Sequence, residues 1–343
     1  MKQQGPNTQV PKCPIPAPPD ALVRLGTSSP TTPATLWQIA WRQLRRNRLA
    51  MVCLGIIMLY AGIAVYAEGT YWYYRLAQQT APYRAVDFNH RFADPSLNYP
   101  LGTDALGRDV FRQVVQGTRV AFEVGILTSL IAIPIAVLLG AFAGYFGRKT
   151  DDAVVYTYTV FDSIPGLLFI FAVNIVIRGL LTHTPSGQTL SRYFDPGVIA
   201  VALGIGLTTW VGLCRLIRGE YIKHRDRQYV LAAQALGVRP VAIMFRHILP
   251  NVLHLVIINF SLRFPGAILT EVVLSYLGIG VAGEPSWGIM ISDAKIRLWQ
   301  GRWYELGGAT LAMFFIVLAF NLFGDALRDA LDPKLRTAEA KTA

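Results

Sequence analysis

Apolar positions in this chain gather into long unbroken runs, not into the alternating or every-third-residue stripes of a water-soluble domain. Runs of roughly 18 or more apolar residues are long enough to cross a hydrocarbon core. Six stand out, at about residues 49–67, 120–144, 153–180, 197–214, 252–280 and 306–324. The third contains Asp162 and Pro165 and is the least uniform. A soluble α/β core supplies one or two such runs, so six predict an all-α membrane protein with six transmembrane helices. The fifth, taken as a straight helix, would reach roughly 44 Å against a hydrocarbon core of about 30 Å. It is therefore expected to tilt or break, with Pro265-Gly266 as the natural place.

Composition agrees. The chain is 53% hydrophobic and 15% charged, where a soluble domain carries about 25% charged residues. Its net charge of +11 gathers at span ends, among them Arg42, Arg45, Arg46 and Arg48 before the first span. Arg148 and Lys149 follow the second, Arg215 to Arg246 follow the fourth, and Arg328 to Lys341 follow the sixth. These segments and the N-terminal tail hold 20 of the 32 Lys and Arg; in the alternate segments acids nearly cancel the basic residues. By the positive-inside rule both termini are cytoplasmic. Charge placed this way calls for no nucleic-acid partner; membrane lipid is the expected one.

Residues 1–35 are poor in apolar side chains and rich in proline, a composition expected of a disordered cytoplasmic tail. Residues 36–118 then hold a basic juxtamembrane segment, the first span and an extracytoplasmic segment. Residues 119–333 hold a five-span core, and 334–343 a second cytoplasmic tail. The first apolar run starts near Leu49 and is long enough to span, unlike a cleaved signal peptide. Cys13, Cys53 and Cys214 show neither disulfide nor metal-ligand spacing, and the five histidines show none either.

Enzyme motifs are missing. There is no G-x-x-x-x-G-K-[ST], H-E-x-x-H or G-x-S-x-G, so no catalytic residue and no cofactor site is assigned. Gly278 to Gly283 fits G-x-G-x-x-G, yet it ends a membrane span instead of following a strand.

Between spans four and five lies a polar stretch, DRQYVLAAQALGVRPVAIMFRHILPN, from Asp226 to Asn251. Asp226 is placed to cap a helix whose Tyr229, Ala232, Ala233 and Leu236 share one face. The alanines make that face shallow, a docking surface for protein. Gly237 suits the left-handed position that ends a helix, and Pro240 the first turn of the next. Pro250-Asn251 is expected to break the chain before span five. On the outer side, Thr103-Asp104 is placed to cap an amphipathic helix with Leu106, Val110 and Val114 in one row. Inside the membrane, Arg263 and Glu271 flank Pro265-Gly266, and Asp162 precedes Pro165. Ionisable groups there are costly, so each either lines a translocation path or is bonded within the bundle.

The motifs carry a resemblance. Gln228 to Ala233, Gly237 and His247-Ile-Leu-Pro-Asn251 resemble the "EAA" cytoplasmic loop of ABC-importer permeases, with Leu231 at the position of the motif glutamate. RRNRLAMV (45–52), LGTDALGRDVF (101–111), AGYFG (143–147), YLGIGV with PSWG (276–281, 285–288) and FNLFGDALRDALDP (320–333) narrow it. Together they resemble the second permease subunit of the oligopeptide, dipeptide and nickel importer group, in order from Arg42 to Pro333. This implies a bacterial inner-membrane permease subunit that forms half of a path for peptides or a related small solute. It also implies a second permease, two ATP-binding subunits carrying ATP and Mg, and an extracytoplasmic substrate-binding protein. Tyr229, Ala232, Ala233, Leu236 and Gly237 would then form the coupling helix. The alternative is a secondary transporter driven by an ion gradient, which calls for midplane carboxylates and inverted repeats. Glu271 is the one carboxylate candidate, and no repeat is visible.

Overall fold

The structure is a computed structural model, described at residues 36–185, 195–281 and 283–331; the expected tails, 1–35 and 334–343, lie outside the described residues. The described chain is helical: α1 Leu36–Arg46, α2 Arg48–Leu76, α3 Val110–Phe146, α4 Arg148–Ser163, α5 Gly166–His183, α6 Pro196–Arg225, α7 Gln228–Ala235, α8 Pro240–Tyr276, α9 Trp287–Arg297 and α10 Tyr304–Leu331. Six of them, α2, α3, α5, α6, α8 and α10, are long and apolar enough to cross a membrane.

Four expectations need correction. The third apolar run is two helices. Ile164 is extended, with φ −89° and ψ 131°, because the ring of Pro165 disfavours helix in the residue before it. The chain turns there from α4 into α5, and only α5 has spanning character. The fifth run does not break at Pro265, which lies inside the helix, nor does Pro250 break the chain ahead of it. Pro250 has no N–H for the carbonyl four residues back, and a π-helical stretch, Ile243–Ile248, precedes it. There the Leu249 N–H reaches back to the carbonyl of Met244. This wider turn carries the helix past the proline, so α8 begins at Pro240, as its chemistry suits.

The third correction is at the start of α7. Asp226 ends α6, and the residue preceding α7 is Arg227, with no side-chain cap. The fourth is on the outer side, where no separate amphipathic helix forms. Asp104 instead accepts the N–H groups of Leu106 (2.8 Å) and Arg108 (2.9 Å) and folds a tight turn. Asp109 then caps α3 through Phe111 and Arg112, so Val110 and Val114 belong to the second span. The first span likewise runs on to Leu76, taking Tyr71 to Arg75 into its C-terminal end.

Helices in lipid gain little from hiding apolar surface, so close backbone contact has to hold them. The tightest contact joins α3 and α6. A Cβ at Gly140 would lie 2.7 Å from the carbonyl oxygen of Cys214, and one at Gly144 would lie 2.6 Å from that of Arg218. From the other side, a Cβ at Gly206 would meet Ile131 at 2.9 Å. Around this seam gather Val154 and Tyr158 of α4, Val230 and Ala233 of α7, and Ile243 to Val256 of α8. A second core joins Phe122, Phe264 and Phe320 of α3, α8 and α10 with Trp287 of α9. The PSWG motif explains itself here. Ser286 caps α9, and the Trp287 indole lies on Gly117, where no Cβ intervenes. Its Nε1–H donates to the carbonyl of Val114 at 3.1 Å.

Gly144→Val is expected to destabilise the fold by about 1–3 kcal/mol through overpacking. A thermal melt of the purified complex checks this; an unshifted melt would show that α3 and α6 do not meet there.

Candidate translocation and coupling sites

The membrane site starts from a small residue. Gly212 of α6 leaves space that a side chain would fill, and the Arg263 guanidinium of α8 occupies it. Arg263 donates from Nη1 to the carbonyl of Thr209 (2.6 Å) and from Nε to Asn259 Oδ1 (2.9 Å). No carboxylate pairs with it among the described residues. It lines a cavity of about 280 Å³ between α3, α6 and α8, together with Thr128, Ser129, Thr209, Asn259 and Thr270. The hydroxyls of Ser129, Thr209 and Thr270 donate to carbonyls of their own helices, at 2.8, 2.9 and 2.8 Å. Their oxygens keep lone pairs, so the cavity combines one cation, several acceptors and apolar walls.

Glu271 and Asp162 are elsewhere. Glu271 is fully buried and does not line this cavity. It accepts the Ser275 hydroxyl at 2.6 Å, and Ser275 Oγ accepts the Val281 N–H at 3.2 Å. This chain of bonds ties the end of α8 to the loop after it. Asp162, half exposed at the end of α4, pairs with Arg215 of α6 at 2.7 Å, and Arg215 also covers the Tyr158 ring.

The loop between α6 and α8 has two faces. Val230 and Ala233 are buried in the core, which fastens α7 to α6 and α8. Tyr229, Ala232, Leu236 and Gly237 are exposed, Leu236 at 83%. So the structure brings four of the five candidate residues to one free surface and turns Ala233 inward. Leu231 is exposed as well. Gly237 has φ +73° and open space around its Cα, the left-handed helix end its position suggested.

An ionic cluster where the C-terminal end of α2 meets α3 escaped sequence reasoning. Arg119 of α3 is 2% exposed. It faces Glu68 (3.7 Å), Glu123 (3.7 Å) and Glu284 (3.5 Å), with the Tyr71 ring 3.8 Å away. Arg84 pairs with Glu284 too and donates to the carbonyl of Gly283. Burial lifts the Glu284 carboxyl above the usual carboxylate range, while Arg119 and Arg84 pull it down. Burial, then Glu284, pushes Tyr83 up to about 12. The cluster binds α2, α3 and the loop after α8 together. Arg119 and Glu123 stand four apart in an apolar run, the spacing of a helical ion pair, and that was the available signal.

Residues 136–337 match the family described as binding-protein-dependent transport system inner membrane component. The chain belongs to that family. Residues 35–95 match a further domain, the N-terminal TM domain of oligopeptide transport permease C. Over 306 residues the chain is 32% identical to the oligopeptide transport system permease protein of Bacillus subtilis, covering 88% of this chain and 91% of that one. Its identity to the oligopeptide transport system permease protein of Haemophilus influenzae is 35%, over 88% and 90% of the two chains. To the glutathione transport system permease protein of Pectobacterium atrosepticum it is 32%, over 88% and 93%. These relatives are named as transport permeases, not enzymes. The chain is accordingly a multi-pass inner-membrane permease of the ABC-importer group.

In this permease Glu271 makes structural bonds. Glu271→Ala would strip the Ser275 hydroxyl of its acceptor at a cost of about 1–3 kcal/mol, whereas Glu271→Gln keeps an acceptor oxygen. The alanine variant is expected to melt well below wild type and the glutamine variant near it. Equal melting of all three would overturn the assignment.

Proposed function

We propose that this permease forms half of the translocation path of an ATP-driven importer for peptides or a related small solute bearing a carboxylate. One observation carries the proposal: Arg263 is a cation without a carboxylate partner among the described residues, lining a membrane cavity. A guanidinium is suited to hold a carboxylate by paired charged hydrogen bonds. Relatives of this chain are named for oligopeptides, dipeptides and glutathione, solutes that end in carboxylates. A second permease would supply the facing half of the path, and an extracytoplasmic binding protein would deliver the solute, as the family's description suggests.

Energy would come from two separate ATP-binding subunits, which would hold ATP and Mg; this chain carries no phosphate-binding G-x-x-x-x-G-K-[ST] of its own. With both termini cytoplasmic, as the basic residues argue, α7 faces those subunits. Its exposed Tyr229, Ala232, Leu236 and Gly237 would seat in an ATPase groove. Its buried Val230 and Ala233 are fixed to α6 and α8, which both contribute to the cavity wall. A push on α7 would thus move that wall, biasing one two-state element from both sites. Leu231, in place of an acidic residue, offers apolar contact where an ion pair could form. An ion-gradient transporter would need a carboxylate open to its ion, and Glu271 is closed off by Ser275.

Arg263→Gln is expected to slow uptake of carboxylate-bearing peptides about tenfold or more, since a charged hydrogen bond contributes about 1.5–3 kcal/mol. Uptake of the same peptides amidated at the C-terminus should change little. Reconstituted complex and a panel of labelled solutes measure this, and the solute that stimulates ATP hydrolysis identifies the substrate. An equal effect on both peptide sets would reject the contact.

Gly237→Val puts a β-branched residue at positive φ, where it is strained. With open space around the position, assembly should persist while stimulated ATP hydrolysis and uptake fall together. Wild-type stimulation in that variant would exclude α7 as the coupling element.

A further inference from the structure

A second site lies around α8 from the Arg263 head group, with Phe260 on the wall of both. An open groove of about 480 Å³ runs between α1, α2, α3, α8 and α10. Trp41, Leu44 and Leu327 line one end, and Phe122 and Phe264 lie deeper. Its one polar liner apart from the indole is Ser261, whose hydroxyl donates to the carbonyl of Ile257 at 2.9 Å. Such walls solvate hydrocarbon and nothing polar. The groove's length suits a single leaflet: Ile57 on its wall lies nine residues beyond Arg48, about 14 Å along α2, close to half of a ~30 Å hydrocarbon core.

The mouth has the opposite chemistry. α1 carries Arg42, Arg45 and Arg46, and α2 opens with Arg48, all exposed. None has a carboxylate partner among the described residues. The Arg45 guanidinium lies over the Trp41 ring, 6.0 Å from its centroid, so one aromatic joins the cationic rim to the apolar groove. The nearby end of α10 adds Asp325, Arg328 and Asp329, too little negative charge to offset four arginines. α1 is packed in place by Leu44, buried against Ala330 and Leu331 of α10, so the helix that carries the rim also lines the groove.

We propose that this groove binds an anionic phospholipid of the cytoplasmic leaflet, one acyl chain along Phe122, Phe264 and Leu327 and its phosphate among Arg42, Arg45, Arg46 and Arg48. Basic pockets between membrane helices on the cytoplasmic side recognise such head groups, and a tryptophan at the boundary suits the interface. A helix of a partner permease would also fill an apolar groove, but an anionic phospholipid supplies hydrocarbon and anion in the one molecule that this pairing of groove and rim calls for. The proposal rests on the orientation set by the basic residues and not on the nature of the transported solute. The bound lipid would brace α1 and α2 against α8, the helix that also bears Arg263.

The test uses the intact complex in nanodiscs of phosphatidylcholine containing either brominated phosphatidylglycerol or brominated phosphatidylcholine with the same chains. The contribution of Trp41 is taken as the difference between wild type and Trp41→Phe. Phosphatidylglycerol is expected to quench it more strongly, and Arg45→Gln should cut that preference about fivefold. Equal quenching by the two lipids, or no quenching because protein covers the groove, would overturn the proposal. Should Trp41→Phe fail to assemble, the lipid that co-purifies with wild type decides. Enrichment of phosphatidylglycerol over the bulk membrane supports the site, and a bulk-like composition rejects it.

Discussion

Two helices surrounded by lipid hold together only by touching closely, because the hydrophobic effect that assembles a soluble core is nearly absent there. The α3–α6 seam meets that demand with glycines, Gly140 and Gly144 on one helix and Gly206 on the other. What else matters depends on the seam. It sets Thr128 and Ser129 opposite Ile205 and Thr209 to wall the cavity. It also brings Arg218 of α6 to Asp151 of α4, with a bond of 2.6 Å from Nη2, and this pair holds the Asp151 carboxyl below the usual range. The folded base on which α7 sits is part of the same core.

Polar groups within the helical bundle fall into two kinds, and the difference separates scaffold from site. Trp287 and Arg119 are buried and meet a hydrogen bond or counter-charge across an element boundary, and buried Glu271 accepts from Ser275 of its own helix, whose oxygen in turn receives the Val281 N–H of the next loop. Their polarity serves to join parts, since an unmade bond there would be costly. Arg263 differs, because its bonds go to Asn259 and to one backbone carbonyl, which leaves its charge uncompensated. A cation in that condition is a standing demand for an anion.

The proposed coupling role calls for an element that is free on one side and fixed on the other. α7 is such an element, and the π-helical turn after it matters as much as the helix itself. By carrying α8 without interruption from Pro240 to Tyr276, that turn joins the exposed loop to the helix that bears Arg263. A break at Pro250 would have left a flexible joint between the two.

Several features could be read from residues in isolation. Six apolar runs meant six spans, Gly237 meant a positive φ, and Pro240 meant a helix start, because these follow from local chemistry that no tertiary contact overrides. Sequence reasoning failed where neighbours decide. The second span starts at Val110 because Asp109 caps it there, and the first runs on to Leu76. Pro250 stayed within a helix because a π turn precedes it, and Pro265 lies buried inside the same helix. Ala233 shares its helix face by periodicity with Tyr229 and Leu236, yet it also stands three residues from Val230, and it is this pair that the core takes in. Arg263 and Glu271 read alike as charges beside a proline. Only the fold distinguishes them, since it buries one beside its helical neighbour Ser275, which the loop at Val281 caps, and leaves the other open to a cavity. Local chemistry is written residue by residue, whereas the fate of a buried charge depends on what the rest of the chain brings within a few ångströms of it.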